Sequence, residues 1–330
     1  MKSKQQLICS YIQCTLEDKW RFLGNAIKIK MGGVKRIRHN HIGGHKIISS
    51  TEGNNWLYEH VLLGRPFAAV RYGGNELGTY RHAMAYHLGL QQELSQSVVD
   101  SIQRQAGFFP NDTTLLPKFR ELMEDVSRNI DFLASYESVF ENFMLRNFIP
   151  KNVVVSDNRA MEPYYLKNGE VPWTKALEGK RVLVIHPFET TIQKQYAKRE
   201  LLFEDKDILP QFELRTLKAV QTIVGTKDER FETWFDALEW MLQEAMKIPF
   251  DIAILGCGAY GLPLACKLKE AGKQAVHVGG ATQILFGIKG RRWELNSKEV
   301  SALFNEHWAR PSAEETPQNK QNNEFGGAYW

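Results

Sequence analysis

Phe250-Asp251-Ile252-Ala253-Ile254-Leu255-Gly256-Cys257-Gly258-Ala259-Tyr260-Gly261 runs an apolar segment straight into a glycine-rich turn. A helix-compatible stretch follows, and then a second apolar run, Ala275-Val276-His277-Val278, that ends in Gly279-Gly280. Strand, glycine turn, helix, strand is the setting in which Gly-x-Gly-x-x-Gly becomes a phosphate-binding device. In that reading Gly256 makes the tight turn, Gly258 lets backbone approach a pyrophosphate, and Gly261 lets the helix pack on the strand. The helix N-terminus would aim unpaired N–H groups and a partial positive charge at the ligand. A nicotinamide or flavin site also wants an acid roughly 20 residues after the first glycine. Here that stretch reads His277-Val278-Gly279-Gly280-Ala281-Thr282, with none, and the unit lies late for a two-halved dinucleotide domain. Two readings stay open: another phosphate-bearing ligand, or glycines that serve only tight packing.

Working outward, strands and helices alternate. Arg181-Val182-Leu183-Val184-Ile185 is a continuous apolar run of the kind found in central parallel strands, followed by His186-Pro187-Phe188 and a helix from about Thr191 to Leu202. Asn152 to Ser156 and Glu213 to Val220 read as further strands. Phe231, Trp234, Phe235, Leu238, Met241 and Leu242 share one helical face, closed by Pro249. Earlier, Trp56 to Leu63 reads as a helix ended by Gly64, Pro66 to Arg71 as a buried strand, and Glu76 to Leu88 as a helix. The pattern predicts an α/β fold: a Rossmann-like, mostly parallel sheet flanked by helices. Residues 90–148 carry helix-period spacing and no strand signal, and are expected to form a helical insertion. The expected divisions are a basic N-terminal extension over 1–50, holding a short helix and a loop, the α/β domain over 51–310, and a tail over 311–330. Phe325 and Tyr329-Trp330 suggest that the end of the tail docks back.

The chain has 330 residues, 43% hydrophobic and 24% charged, ordinary for a soluble globular protein. No apolar run reaches the ~18 residues of a membrane span, and Leu7 to Tyr11 is too short for a signal-peptide core. Cys9, Cys14, Cys257 and Cys266 make no CxxC pair or disulfide framework, so a reducing cytoplasm is expected. Net charge is +4, but Lys19 to Lys46 carries eight Lys/Arg and no acid. That stretch is either a solvated basic face or a surface for anionic lipid or glycan, giving peripheral contact with the inner membrane face. Nucleic acid is not expected, since no binding module surrounds it. His39, His41 and His45 lack a nearby Cys or acid and read as loop histidines.

Ligands in open α/β sheets sit beyond the carboxyl ends of the strands. That rule collects Arg71, Gly73, Gly74, Asn75 and Glu76, then Asp157, then His186, Glu189 and Thr190, then the turn at Gly256. Lys289, Arg291 and Arg292 lie in the glycine-flanked loop Gly287-Ile288-Lys289-Gly290-Arg291-Arg292-Trp293. They either clamp a diphosphate or form a basic turn anchored by Trp293.

Two segments resemble bacterial proteins of the GT-D glycosyltransferase superfamily. Phe67-Ala68-Ala69-Val70-Arg71-Tyr72-Gly73-Gly74-Asn75-Glu76 is similar to the family's Arg-x-Gly-Asp-x-Glu element, and the second segment is Asp251 to Gly261 onward. From about Trp173 the chain resembles a subgroup found beside polysaccharide genes, with Gly279-Gly280-Ala281-Thr282-Gln283 and Phe286-Gly287-Ile288-Lys289-Gly290 as its most specific strings. The resemblance spans roughly residues 55–330. It implies a cytoplasmic enzyme that binds a nucleoside-diphosphate sugar and transfers the sugar to a glycan or lipid-linked acceptor in surface polysaccharide assembly. It also implies Mn²⁺ or Mg²⁺ held by the Asp-x-Glu acids. Arg71, Gly73 and Glu76 match that element, but Gly74 stands where the family has Asp, leaving Glu76 as the metal carboxylate. With one carboxylate, the leaving diphosphate would be neutralised by Arg71, Lys289, Arg291 and Arg292, and Glu76 would serve as general base. Asp157 and Glu162 are candidates for contact with sugar or acceptor, His186 for phosphate contact or acid–base work, and Tyr260 for stacking on the ligand. The rival readings are a relative that binds sugar nucleotides or glycans without catalysis, and an NAD(P)- or S-adenosylmethionine-dependent enzyme.

Overall fold

The computed structural model describes residues 2–32, 39–167 and 169–330. Its strands are β1 (His41–Ile42), β2 (His45–Ile48), β3 (Phe67–Val70), β4 (Phe132–Ser135), β5 (Val154–Asp157), β6 (Arg181–His186), β7 (Glu213–Lys218), β8 (Ile252–Leu255) and β9 (Gln274–His277). Among the described residues they form one nine-stranded sheet in the order β1-β2-β5-β4-β3-β9-β8-β6-β7. Every pairing is parallel except the β1–β2 hairpin. The larger helices are α1 (Lys4–Gly32), α2 (Ser50–Leu63), α3 (Gly74–Leu88), α4 (Gln96–Ala106), α5 (Leu116–Ser127), α6 (Glu141–Asn147), α7 (Glu189–Tyr196), α8 (Trp234–Lys247) and α9 (Gly261–Glu270).

Side chains that alternate along the central strands feed two cores. Val70, Leu133, Leu183, Ile185, Leu255 and Ala275 face one way, where α3, α4, α5, α8 and α9 cover them. Phe67, Phe132, Val182, Val184, Ile254 and Val276 face the other, under α2, α7 and the C-terminal segments. Burial on both faces explains why β3, β4, β8 and β9 are buried at every residue and why β3 and β8 read as unbroken apolar runs. Edge strand β7 is only part-buried, which accounts for its more mixed sequence.

The expected α/β architecture is what forms, with two corrections. The stretch 90–148 is not purely helical: β4 lies inside it and pairs with both β3 and β5. This strand is four residues long among helix-period neighbours, so periodicity cannot register it. Its entry is fixed by Asp131, whose carboxylate accepts from Ala68 N (2.9 Å) and pairs with Lys269 (2.7 Å). The first 50 residues hold more than a short helix and a loop. Helix α1 is 29 residues long, and β2 adds to the sheet beside β5, Ile47 opposite Val155. Of the basic stretch, Lys35, Arg36, Arg38 and the side chains of Lys28 and Lys30 lie outside the described residues. No helix among the described residues is long and apolar enough to cross a membrane.

The connections set the position of the site. From β6 the chain leaves through α7 to β7, outward along the sheet; from β8 it leaves through α9 to β9, in the opposite sense. Neighbouring strands whose exits diverge leave a crevice between them at their carboxyl ends.

Candidate active-site cleft

A cleft of about 810 Å³ opens at the carboxyl ends of β3, β4 and β9. A smaller pocket of about 80 Å³ adjoins it between the ends of β6 and β8, the point of divergence. Gln105, Ala106, Gly258, Gly280 and Tyr329 line both, so the two are continuous.

The turn after β3 supplies the floor of the larger cleft, with Arg71, Gly73, Gly74, Asn75 and Glu76 all lining it. Arg71 is the centre of a part-buried polar group. Its guanidinium donates to the Tyr136 hydroxyl and lies 3.4 Å from Glu162 Oε1, while Tyr164 donates to Glu162 Oε2 at 2.7 Å. Arg71 therefore pairs with Glu162 rather than with Glu76. Gly279, at φ +64°, keeps the space beside the guanidinium, because a Cβ there would lie 2.5 Å from it. Arg292 is exposed and also lines the cleft; burial pushes the Tyr136 hydroxyl up, with the Arg71 and Arg292 charges opposing.

Glu76 sits at the third position of α3, whose N-cap is Gly73. Its carboxylate folds back over Gly73, where any side chain would overlap it, and takes a hydrogen bond from its own backbone N–H. Desolvation raises its pKa against that hydrogen bond and the pull of Arg71. Gly74 beside it is exposed, with nothing within 4 Å of a Cβ built there. Glu76 thus stands without a second acid at the position where the GT-D element has one. Among the described residues no three His, Cys, Asp or Glu side chains converge to hold a metal ion. Hard divalent cations take charged oxygen ligands, and Glu76 is the one carboxylate that the turn after β3 offers to the Mn²⁺ or Mg²⁺ that the resemblance implies. The three early histidines do not form a site either; His39 instead pairs with Glu137 at 2.5 Å.

The glycine turn after β8 is packed differently. A Cβ at Gly256 would meet His186, the Gly279 carbonyl and Thr282; Gly258, at φ +59°, approaches the Ala106 carbonyl; and Gly261 lies flat under the His277 ring. Each glycine is demanded by a protein neighbour. Tyr260 is buried and stacked on Trp234 at 4.8 Å, and it lines the smaller pocket.

Two histidines face the crevice. His186 ends β6 and is buried, and its Nδ1 accepts from Phe188 N at 3.0 Å. With Nδ1 an acceptor, the neutral ring carries its proton on Nε2. Burial pushes its pKa down to about 3, so it is a neutral hydrogen-bond donor at neutral pH. His277 ends β9, lines the larger cleft and has a buried Nδ1 with no hydrogen-bond partner. Burial first, and the Arg71 charge second, hold its pKa at about 3. His277 is not among the expected site residues, because Ala275-Val276-His277-Val278 reads as an apolar run, although the strand-end rule reaches it.

Other expected site residues lie off the cleft. Asp157 caps the turn at Arg159 N (2.9 Å). Lys289 sits 5.7 Å over the Phe304 ring, and Arg291 neighbours Gly326. Only Arg292 of the cationic loop is brought to Arg71. The N-terminus of α7, a ready anion site, is filled by the protein itself: the Glu315 carboxylate accepts from Thr190 N (2.7 Å) and Thr191 N (3.2 Å). Glu189 takes a hydrogen bond from Thr216 Oγ1 at 2.8 Å. The chain end does dock back. Trp330 is buried and donates to the Glu315 carbonyl, and Tyr329 lies over Gly280 at the junction of cleft and pocket. Phe325, in contrast, is exposed.

No family model matches the chain, and no curated protein does. Two solved structures are similar to it. One, described as "The highly conserved domain of unknown function 1792 has a distinct glycosyltransferase fold", is 12% identical, with 72% of this chain and 79% of that chain covered at a TM-score of 0.38. The other, a selenomethionine-substituted structure of the same domain of unknown function, is 11% identical over the same shares at a TM-score of 0.40.

Proposed function

We propose that the protein is a glycosyltransferase that takes a nucleoside-diphosphate sugar as donor and a glycan or lipid-linked hydroxyl as acceptor. The observation that carries this reading is the cleft at the carboxyl ends of β3, β4 and β9, with Arg71 and Arg292 on its walls and Glu76 in the first turn of α3. Arg71, held by Tyr136 and Glu162, and the exposed Arg292 neutralise the departing diphosphate by charge-assisted hydrogen bonds. Glu76, whose pKa is raised, accepts the acceptor hydroxyl proton. The hydroxyl oxygen bonds to the anomeric carbon, the bond from that carbon to phosphate oxygen breaks, and the nucleoside diphosphate leaves with the electron pair. The small apolar pocket offers the His186 N–H and the unpartnered Gln283 Oε1 as the polar pair that reads a base.

Calorimetry with UDP-, GDP-, CMP- and TDP-sugars, with and without Mn²⁺, tests the reading. At least one of the UDP-, GDP- and TDP-sugars is expected to bind, and Arg292→Ala to weaken it about tenfold, the scale of one lost charge-assisted contact. Absence of binding across the panel would sink the proposal. The vacant acid position at Gly74 favours one second reading, a donor-binding relative without turnover. Binding without donor consumption in the presence of acceptor lysate would select it.

A further inference from the structure

Helix α1 has two opposite faces. One is packed on the body: Cys14 and Asp18 are buried, Asp18 Oδ2 accepts from Phe140 N at 2.7 Å, and the Cys14 carbonyl accepts from Asn142 Nδ2 at 3.2 Å. The other carries Ile12, Leu16, Trp20 and Leu23, at the four-, four- and three-residue steps that make one row along a helix. All four are open to solvent, Trp20 at 69%. Single exposed apolar residues need no explanation, but a continuous row marks a contact surface.

Charge selects the occupant. The acids closest to the row are already paired, Asp18 with Arg21 at 2.8 Å and Glu17 with Arg146 at 2.9 Å. Exposed Lys19 flanks Trp20, and from Lys19 to Lys46 the sequence carries eight Lys/Arg and no Asp or Glu. An apolar row on a segment whose charged residues from Lys19 to Lys46 are all cationic matches an anionic bilayer surface, with the row at the acyl boundary. Tryptophan is favoured at that depth. A second copy packed on the row would bring two such cationic stretches together at a repulsive cost.

We propose that α1 lies flat on an anionic membrane surface through Ile12, Leu16, Trp20 and Leu23. Arg21, Phe22 and Asn25, on the body side of the same helix, line the large cleft, so this docking holds the cleft about one helix diameter, ~10 Å, from the lipid surface. The proposal stands on the helix alone, whatever the cleft transfers.

Flotation of the full chain with vesicles of phosphatidylglycerol and phosphatidylcholine in equal parts tests it. The protein should float with these vesicles, bind pure phosphatidylcholine weakly, and lose anionic binding several-fold as salt is raised. Leu16→Gln with Trp20→Gln should lower partitioning roughly tenfold or more, with an unchanged thermal melt because both side chains are exposed. Three results would overturn it. These are no flotation of the wild type with anionic vesicles, equal flotation of the double variant, or a wild-type dimer that the double variant dissolves, which would assign the row to a second copy.

Discussion

Two glycine turns end neighbouring parts of the same sheet, and they use glycine for opposite purposes. After β8, Gly256, Gly258 and Gly261 are close-packed by His186, Ala106 and His277, so their missing side chains are volume the protein itself needs. After β3, Gly73 makes room for the Glu76 carboxylate, and Gly74 beside it has nothing within 4 Å and faces the cleft. The stronger motif in sequence is thus the more tightly packed, with Gly256 and Gly258 still lining the pocket, and the weaker one leaves open space on the floor of the cleft. A glycine pattern states that backbone must come close to something. Only the packing states whether that something is ligand or chain.

The sharpest break between the turns is steric. Gly261→Ala sets a methyl against the buried His277 ring and is expected to cost about 3 kcal/mol, within the range for overpacking a full core. Gly256→Ala, pressed by the Gly279 carbonyl as well, should cost a similar amount. Urea unfolding measures both. Wild-type stability for Gly261→Ala would mean that the turn is looser than its packing and still open to a ligand.

Next in size is the role of Glu76. A general base works only ionised, and desolvation raises this carboxyl above its ordinary value. Sugar transfer should therefore fall as pH drops, through a limb lying above the usual carboxylate range, with full activity on the alkaline side. Glu76→Gln should lower kcat about a hundredfold, in the range for general-base loss, and abolish that acidic limb. A pH–rate profile of the variant that keeps the limb would move the base elsewhere, and neither histidine is a ready substitute with its pKa near 3.

The sheet was legible because its inner strands are buried on both faces: Arg181 to Ile185, Asp251 to Leu255 and Pro66 to Arg71 announce themselves as apolar runs. Strand β4 was not, because four residues among helical neighbours carry too little periodicity. At the site, the carboxyl-end rule found Arg71, Gly73, Glu76 and His186. It could not tell that Asp157 turns to cap Arg159, or that Lys289 and Arg291 lie away from the cleft while Arg292 faces it. Those outcomes depend on rotamers and on tertiary neighbours such as Glu162, Glu315 and Tyr329, which approach from far along the chain.

The smallest effect in stability is the most telling for the chemistry. At Gly74 a side chain meets open space in the first turn of α3, so Gly74→Ala should change unfolding free energy by no more than about 1 kcal/mol, and in the stabilising direction, since alanine favours helix. Gly74→Asp should fold as well, with its carboxylate beside the helix N-terminus, where negative charge is favoured. The same change places a second acid two residues from Glu76. If a lone carboxylate is what limits the β3 turn, Gly74→Asp should bind Mn²⁺ in calorimetry where the wild type does not. Equal Mn²⁺ affinity in the two proteins would mean that ligands outside this turn already hold the ion, and the cleft would then have to be rebuilt around them. Loss of fold in Gly74→Ala would erase the contrast itself, since both glycine turns would then be packing devices.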